Sequence, residues 1–256
     1  MRTIDLNADI GEANTPEWAA SEAAILHAVS SANIACGGHA GNRDSMRLTV
    51  RNAKTSGVTI GAHPAYPDRQ NFGRKSLILG EDIQAKDLEE TLRVQILELA
   101  DICANENTKL AYVKPHGALY NDSVFDKRKA NLIAEVIARL NLGLIFLGAP
   151  NSDMEHAAKA HDLAFIAEGF IDRRYTDDGH LLSRKIKGAI ITDQTARIAQ
   201  ARALATTGQI QTHSGNMLTL KTGSLCVHGD SAGAVETAHQ ARAAIEAEGL
   251  IIQAFA

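Results

Sequence analysis

The chain has 256 residues, 45% of them hydrophobic and 22% charged, with a formal net charge of −4. Such a composition supports one sizeable globular core, and the mild acidity gives no electrostatic case for nucleic acid or an anionic membrane. The longest apolar runs, such as residues 142–150, are far too short to span a bilayer.

The N-terminus lacks the basic and apolar regions of a signal peptide. Cys36, Cys103 and Cys226 are widely spaced and form no CxxC pair. They argue against a disulfide scaffold and against a cysteine-rich zinc site, and suit a reducing cytoplasm.

Residues 3–6 read as a short strand ending in Asn7, Asp9 and Glu12. Thr15 before Pro16 opens a helix, with proline at its first position, that runs to about Val29. A strand at 32–35 ends in Cys36, Gly37, Gly38, His39 and Gly41. The next helix carries Met46, Val50 and Ala53 on one face and stops at Gly57. Residues 58–62 form the third strand, ending in His63, Pro64 and Asp68. Residues 70–80 have no period and read as a long loop, of the kind that in compact domains is usually a functional lid or disordered. Leu88, Leu92, Ile96, Leu99 and Cys103 then mark a long amphipathic helix.

Residues 112–121, YVKPHGALYN, are the stretch around which the rest is organised. An apolar run from Leu110 breaks at Pro115 and Gly117, and Lys114 and His116 sit at the break. A lysine in such a run is costly unless its ammonium meets anions. Ala130, Ile133, Ala134 and Ile137 mark the next helix, and 144–147 the fifth strand. Ser152 and Glu155 have capping-box spacing and open a helix to about His161. The sixth strand, 163–167, ends in Glu168, Asp172 and Arg173. A polar loop at 176–187 leads to a helix at about 192–205. Residues 209–212 and 217–220 flank Ser214, Gly215 and Asn216 as a small hairpin. Residues 224–227 form the seventh strand, ending in His228 and Asp230. A final helix, about 232–247, closes at Gly249.

Seven strand–helix alternations without a linker predict one α/β domain over residues 1–256. In an open doubly wound sheet, polar residues collect at one switch point. In a barrel, every strand can deliver side chains to one mouth at its C-terminal end. Here polar residues end six of the seven strands, which favours a seven-stranded parallel β/α barrel.

Of ten histidines, His39, His63, His116 and His228 each follow a strand-like run. Asp5, Asp9, Glu12, Asp68, Glu168, Asp172 and Asp230 join them, with Lys114 and Arg173 as cations. Such a mouth suits acid–base chemistry on a small anionic substrate. Carboxylates beside imidazoles also suit a divalent metal, although HExxH and CxxC spacings are absent. No P-loop, dinucleotide fingerprint or nucleophile elbow occurs.

The blocks DLNADIGE (5–12), SANIACGGHAG (31–41), GAHPAYPD (61–68), FGRK (72–75), YVKPHGALYN, EGFIDRRY (168–175) and CVHGD (226–230) run through the chain in order. In them the sequence resembles the LamB/YcsF family, whose members serve as the A subunit of bacterial 5-oxoprolinase. It departs from the family's usual pattern at Gly38, Asn42 and Lys75, where a bulky residue, an acid and arginine are usual.

The resemblance implies a barrel related to glycoside hydrolases and polysaccharide deacetylases, and ATP-dependent hydrolysis of 5-oxo-L-proline to L-glutamate with ADP and phosphate as co-products. It implies partner subunits B and C. ATP would be shared with or supplied through those partners, and a divalent metal such as Mg²⁺ is a further candidate cofactor. Homo-oligomerisation stays open. The expected catalytic set is Asp9, His39, His63, Lys114, His116, His228 and Asp230. Lys114 and Arg173 hold the substrate carboxylate or the phosphorylated oxygen. Asp9 with His39 or His63 activates water, and His116, or His228 with Asp230, protonates the leaving nitrogen. Asn7, Glu12, Asn33, Asp68, Asn121, Glu168, Asp172 and Arg173 are the expected substrate-binding set. Two alternatives stand beside this: a metal-dependent deacetylase or amidohydrolase with Asp9, His39 and His63 as ligands, and a lactam- or sugar-binding protein without turnover.

Overall fold

Seven parallel strands close on themselves in a computed structural model that describes residues 2–229 and 233–256. The first half of the chain gives β1 (Thr3–Ile10), α1 (Pro16–Ile25), β2 (Ser31–Ala35), α2 (Arg43–Thr55), β3 (Thr59–His63) and α3 (Ala85–Asn105). Then come β4 (Leu110–Val113), α4 (Gly117–Ser123), α5 (Lys127–Arg139), β5 (Ile145–Gly148), α6 (Asp153–Ala160) and β6 (Phe165–Phe170). The last part gives α7 (Gln194–Thr206), β7 (Gln209–Gln211), β8 (Met217–Thr219), β9 (Ser224–His228), α8 (Ala234–Ala247) and β10 (Ile251–Ile252). The barrel order is β1–β2–β3–β4–β5–β6–β9, and β9 closes on β1 through Asp5↔Ser224 to Asp9↔His228. The expected hairpin is the antiparallel pair β7–β8 outside the barrel.

The helices start where the sequence supplies caps. Thr15 Oγ1 accepts from Trp18 N ahead of Pro16, and Asn42 closes a full capping box with Ser45. The Ser152 cap is half a box: its hydroxyl accepts from Glu155 N, but the Glu155 carboxylate turns to Asn151 N. On α3 the residues Leu88, Leu92, Ile96, Leu99 and Cys103 are buried as the spacing predicts. Each fully buried aliphatic side chain contributes ~1.5–3 kcal/mol. Among the described residues no helix is long and apolar enough to cross a membrane.

Several elements differ from expectation: β6 runs on to Phe170 and takes Glu168 into the strand, and α1 stops at Ile25 rather than near Val29. β1 continues to Ile10, four residues beyond its predicted end, because Asp5, Asn7 and Asp9 alternate into the barrel while Leu6, Ala8 and Ile10 pack outward. A short helix, α4, begins directly after Pro115 and His116. The C-terminal β10 pairs with Thr3 and Ile4 of β1, below the point where β9 joins it. Asp230 lies outside the described residues.

The barrel interior is polar, where such barrels usually stack Val, Ile and Leu. Asp5 accepts from the hydroxyls of Ser30, Ser31 and Ser224. Asn7 donates to Ser224 Oγ at 2.7 Å, and Asn33 donates to both Asn7 and Asp9 at 2.7 Å. Tyr112 lies across the floor and donates its hydroxyl to Asn33 Oδ1 at 2.7 Å. Gly61 makes room for that ring: a Cβ there would stand 2.1 Å from Tyr112 Cε2. Phe255 packs edge-on against the Tyr112 ring at 5.0 Å.

Candidate active site

Lys114 follows β4 and points into the barrel. Its Nζ lies 2.8 Å from Asp9 Oδ1, 2.9 Å from Glu168 Oε1 and 3.1 Å from Cys226 Sγ. The residue is 2% exposed, and a buried ammonium is tolerable only with such anionic company. Burial alone would lower its pKa; Asp9, Cys226 and Glu168 outweigh that and hold it well above the usual lysine value. Burial likewise pushes Asp9 upward, but His63 and Lys114 keep its carboxyl well below the ordinary carboxylate range. Lys114 and Asp9 are therefore a fixed charge pair.

On one side of this pair stand three imidazoles. His39 and His116 stack with centroids 3.5 Å apart and planes within 2°. His63 meets His116 edge-on at 4.8 Å. His63 Nδ1 donates to the Lys114 carbonyl at 2.8 Å, and His116 Nε2 donates to the Phe72 carbonyl at 3.0 Å. The two remaining nitrogens, His63 Nε2 and His116 Nδ1, are 3.0 Å apart. Glu12 Oε1 is 2.9 Å from His39 Nε2 and 3.5 Å from His116 Nδ1. Burial, then the neighbouring imidazoles, keep His39 and His116 neutral by lowering their pKa values well below the ordinary range.

The loop expected at 70–80 covers this cluster. Phe72 takes φ +55° and packs edge-on to His39 at 5.2 Å. At Gly73 (φ +63°) a Cβ would lie 2.9 Å from both His116 Cδ2 and His39 Cβ, so only glycine lets the loop come this close.

The opposite wall is an imidazole–carboxylate dyad. His228 Nδ1 donates to Asp172 at 2.8 Å. Burial would lower the His228 pKa, but Asp172 outweighs it and raises it; burial would raise Asp172, and His228 lowers it. Arg184 Nη2 lies 3.3 Å from His228 Nε2. Arg173 donates to the Leu182 carbonyl at 2.7 Å, and burial, with Arg184 nearby, brings its pKa down to about 10. Phe170 lines the wall between the dyad and Lys114, stacked on His228 at 5.4 Å and 5.3 Å from Lys114 Nζ.

These walls enclose a cavity of about 730 Å³ at the C-terminal mouth of the barrel. Asp9, Lys114 and Glu168 form its bottom, and Arg74, Lys75, Arg173, Arg184 and Lys185 make its rim cationic. Among the described residues, four buried polar atoms of its lining have no hydrogen-bond partner: Tyr120 Oη, Glu168 Oε2, Arg173 Nε and His180 Nδ1. Buried groups are rarely left so, and all four meet in one cavity.

Of the expected residues, Asp9, Glu12, His63, Lys114, His116, Asn121, Glu168, Arg173 and His228 line the cavity directly. His39, Asp172, Asn7 and Asn33 stand behind it, against Glu12, His228, Ser224 and Asp9. Asp68 is apart: it holds Asn71 in the covering loop. Glu12, His39, His63 and His116 bring ligand atoms within 4.8 Å of one another, and of the expected trio Asp9 stands at the edge of that cluster, with Oδ1 on Lys114 and Oδ2 3.4 Å from His63 Nε2. Asn42 works as the α2 cap, a task its neutral amide fulfils, and the space beside Gly38 is taken by Gln95, which pairs with both backbone groups of Ala65.

Sequence reasoning missed Tyr120 and Arg184. Tyr120 lies within the central motif but carries no charge, and Arg184 is one cation in an aperiodic loop.

Fold and site together define a class: a seven-stranded parallel barrel with a carboxylate–ammonium–imidazole cavity at its C-terminal mouth. The sequence pattern of the LamB/YcsF family matches residues 4–256, and the chain belongs to that family. It is 40% identical over 257 residues to an Agrobacterium fabrum protein named as a 5-oxoprolinase A subunit, covering 100% of this chain and 99% of that one. The crystal structure of the lactam utilization protein from Thermus thermophilus superposes with a TM-score of 0.89 at 32% identity, covering 99% of this chain and all of the other. A peptidoglycan N-acetylglucosamine deacetylase catalytic domain from Eubacterium rectale shares the fold alone, with a TM-score of 0.51 at 11% identity over 100% of this chain and 89% of that one.

Proposed function

We propose that this chain is the A subunit of an ATP-dependent 5-oxoprolinase, opening 5-oxo-L-proline to L-glutamate with partner subunits B and C. The observation that carries the reading is Lys114, buried between Asp9 and Glu168 at the bottom of a cavity with a cationic rim. The names and near-complete coverage of the relatives support it.

A five-membered lactam is a resonance-stabilised amide, so water alone opens it slowly. Phosphorylation of the amide oxygen, at the expense of ATP on the partner subunits, makes the ring carbon electrophilic. It also makes the substrate more anionic, which suits the five cations of the rim. Arg173 takes the substrate carboxylate, a planar fork matched to a planar anion. Asp9, fixed by Lys114 and Asn33, orients water at the ring carbon. As the C–N bond breaks, the ring nitrogen takes its proton from His228, which Asp172 holds in place and keeps basic enough to carry one; the attacking water's proton passes by way of Asp9 to solvent, and a second water cleaves the acyl phosphate so formed to L-glutamate and phosphate.

The test is glutamate release from 5-oxoproline by this chain with the B and C subunits, with and without ATP. Lys114→Met should abolish that activity, with the fold confirmed by circular dichroism. Full activity in the folded variant would remove Lys114 from the mechanism and the reading with it.

A further inference from the structure

We propose that Glu12, His63 and His116 form a divalent transition-metal site that opens into the cavity, with zinc as the reference ion. The starting point is a conflict of lone pairs. A backbone carbonyl can only accept, so His63 Nδ1 and His116 Nε2 must each carry a hydrogen for Lys114 O and Phe72 O. With one hydrogen on each ring, His63 Nε2 and His116 Nδ1 are then both acceptors, yet they face one another at 3.0 Å, and Asp9 Oδ2 stands 3.4 Å from His63 Nε2. Acceptors this close call for a shared cation, a proton or a metal ion, and the convergence of Glu12, His39, His63 and His116 supplies the donors a metal ion needs.

The third donor completes the set. Glu12 Oε1 is 3.5 Å from His116 Nδ1. Ligand atoms around a tetrahedral ion at ~2.0–2.1 Å stand ~3.3 Å apart, and the 3.0 and 3.5 Å separations bracket that value. The outer nitrogens bound to backbone carbonyls are the partners that orient ligand imidazoles in metal sites. His39 belongs one layer back: its Nε2 donates to Glu12, and it does not line the cavity. Glu12, His63 and His116 do line it, so a fourth position faces the void. Two imidazoles and one carboxylate favour an ion of the zinc class over magnesium.

The site does not depend on which amide the cavity takes, and the test reads binding rather than turnover. The full chain is stripped with chelator and titrated with Zn²⁺ by calorimetry, and with Co²⁺ by visible absorption. The expected result is one ion per chain, with Co²⁺ developing the intense bands of a low-coordinate centre that Zn²⁺ displaces. Glu12→Gln and His116→Gln, each checked for folding, should weaken Zn²⁺ binding by more than the ~10–100-fold that loss of an outer partner costs. A Co²⁺ spectrum that stays that of the aqueous ion, with no stoichiometric Zn²⁺ heat, would overturn the proposal; so would unchanged Zn²⁺ affinity in both folded variants. Should both variants unfold, the wild-type titration decides alone.

Discussion

The two halves of the barrel interior are built from similar residues but finished differently. The lower half holds Asp5, Asn7, Ser31, Asn33, Tyr112 and Ser224, and its polar side chains are paired with one another. The upper half holds Asp9, Lys114, Glu168, Tyr120, Arg173 and the imidazoles. There, among the described residues, Tyr120 Oη, Glu168 Oε2, Arg173 Nε and His180 Nδ1 are buried without partners. An unpaired buried polar group costs ~1–3 kcal/mol. A chain that can satisfy every group on the floor, yet leaves four open around one cavity, has placed them where a ligand completes them. The lower half is therefore a scaffold made of polar parts, and the upper half is a site.

Substitutions on the floor should strike stability first. The largest effect is expected from Gly61→Ala, whose methyl group would overlap the Tyr112 ring at 2.1 Å. The ring is trapped by Phe255 below and by its bond to Asn33, so the strand must move. Overpacking of this kind costs ~1–3 kcal/mol and sometimes more, and the upper end is expected in a denaturant midpoint. A wild-type midpoint would mean that the floor is soft and the contrast between halves is false.

Next in size is a pH effect at Asp5. Burial outweighs its three hydroxyl partners and raises its pKa from 3.8 to about 6. The folded chain thus holds this proton more tightly than the unfolded chain does. Its contribution to stability is fully present below pH ~4 and is lost as pH rises to about 6, a swing of ~3 kcal/mol. Asp5→Asn removes the titration but keeps the shape. The difference in unfolding free energy between variant and wild type should move in the variant's favour across that window and be flat above it. Parallel curves for the two proteins would refute the assignment.

Much of this architecture can be read from residue order, because alternation in β and amphipathic period in α are local signals. Strand ends are harder. Asp5, Asn7 and Asp9 resemble the polar end of a short strand, since a buried strand is expected to be apolar on both faces; the polar interior defeats that rule. β10 is two residues long and depends on β1 for its pairing, so nothing local announces it. The site is legible as a set of residues, because polar groups at successive strand ends must meet once the barrel closes. Its internal pairing is not. That Asp9 binds Lys114 while Glu12 meets the histidines depends on side-chain direction across strands far apart in sequence. Asp172 is expected from sequence to touch substrate, but the closed barrel sets it behind His228.

The one stabilising effect, and the sharpest test of the contrast, belongs to Tyr120→Phe. The hydroxyl is buried at the cavity wall with no partner, and the ring packs edge-on to Phe170 at 5.8 Å. Removing an oxygen that is already unpaired loses no hydrogen bond in the free protein and lifts the cost of burying it, so the unfolding free energy should rise by ~1–3 kcal/mol. Under the proposed function that hydroxyl meets substrate in the reconstituted complex. Losing one neutral hydrogen bond, ~1 kcal/mol, should raise KM for 5-oxoproline by roughly fivefold with little change in kcat. A variant as destabilised as a floor substitution would show that Tyr120 is structural. A variant with wild-type KM would show that the open hydroxyl serves no ligand, and the division of the barrel into scaffold and site would then rest on the charged groups alone.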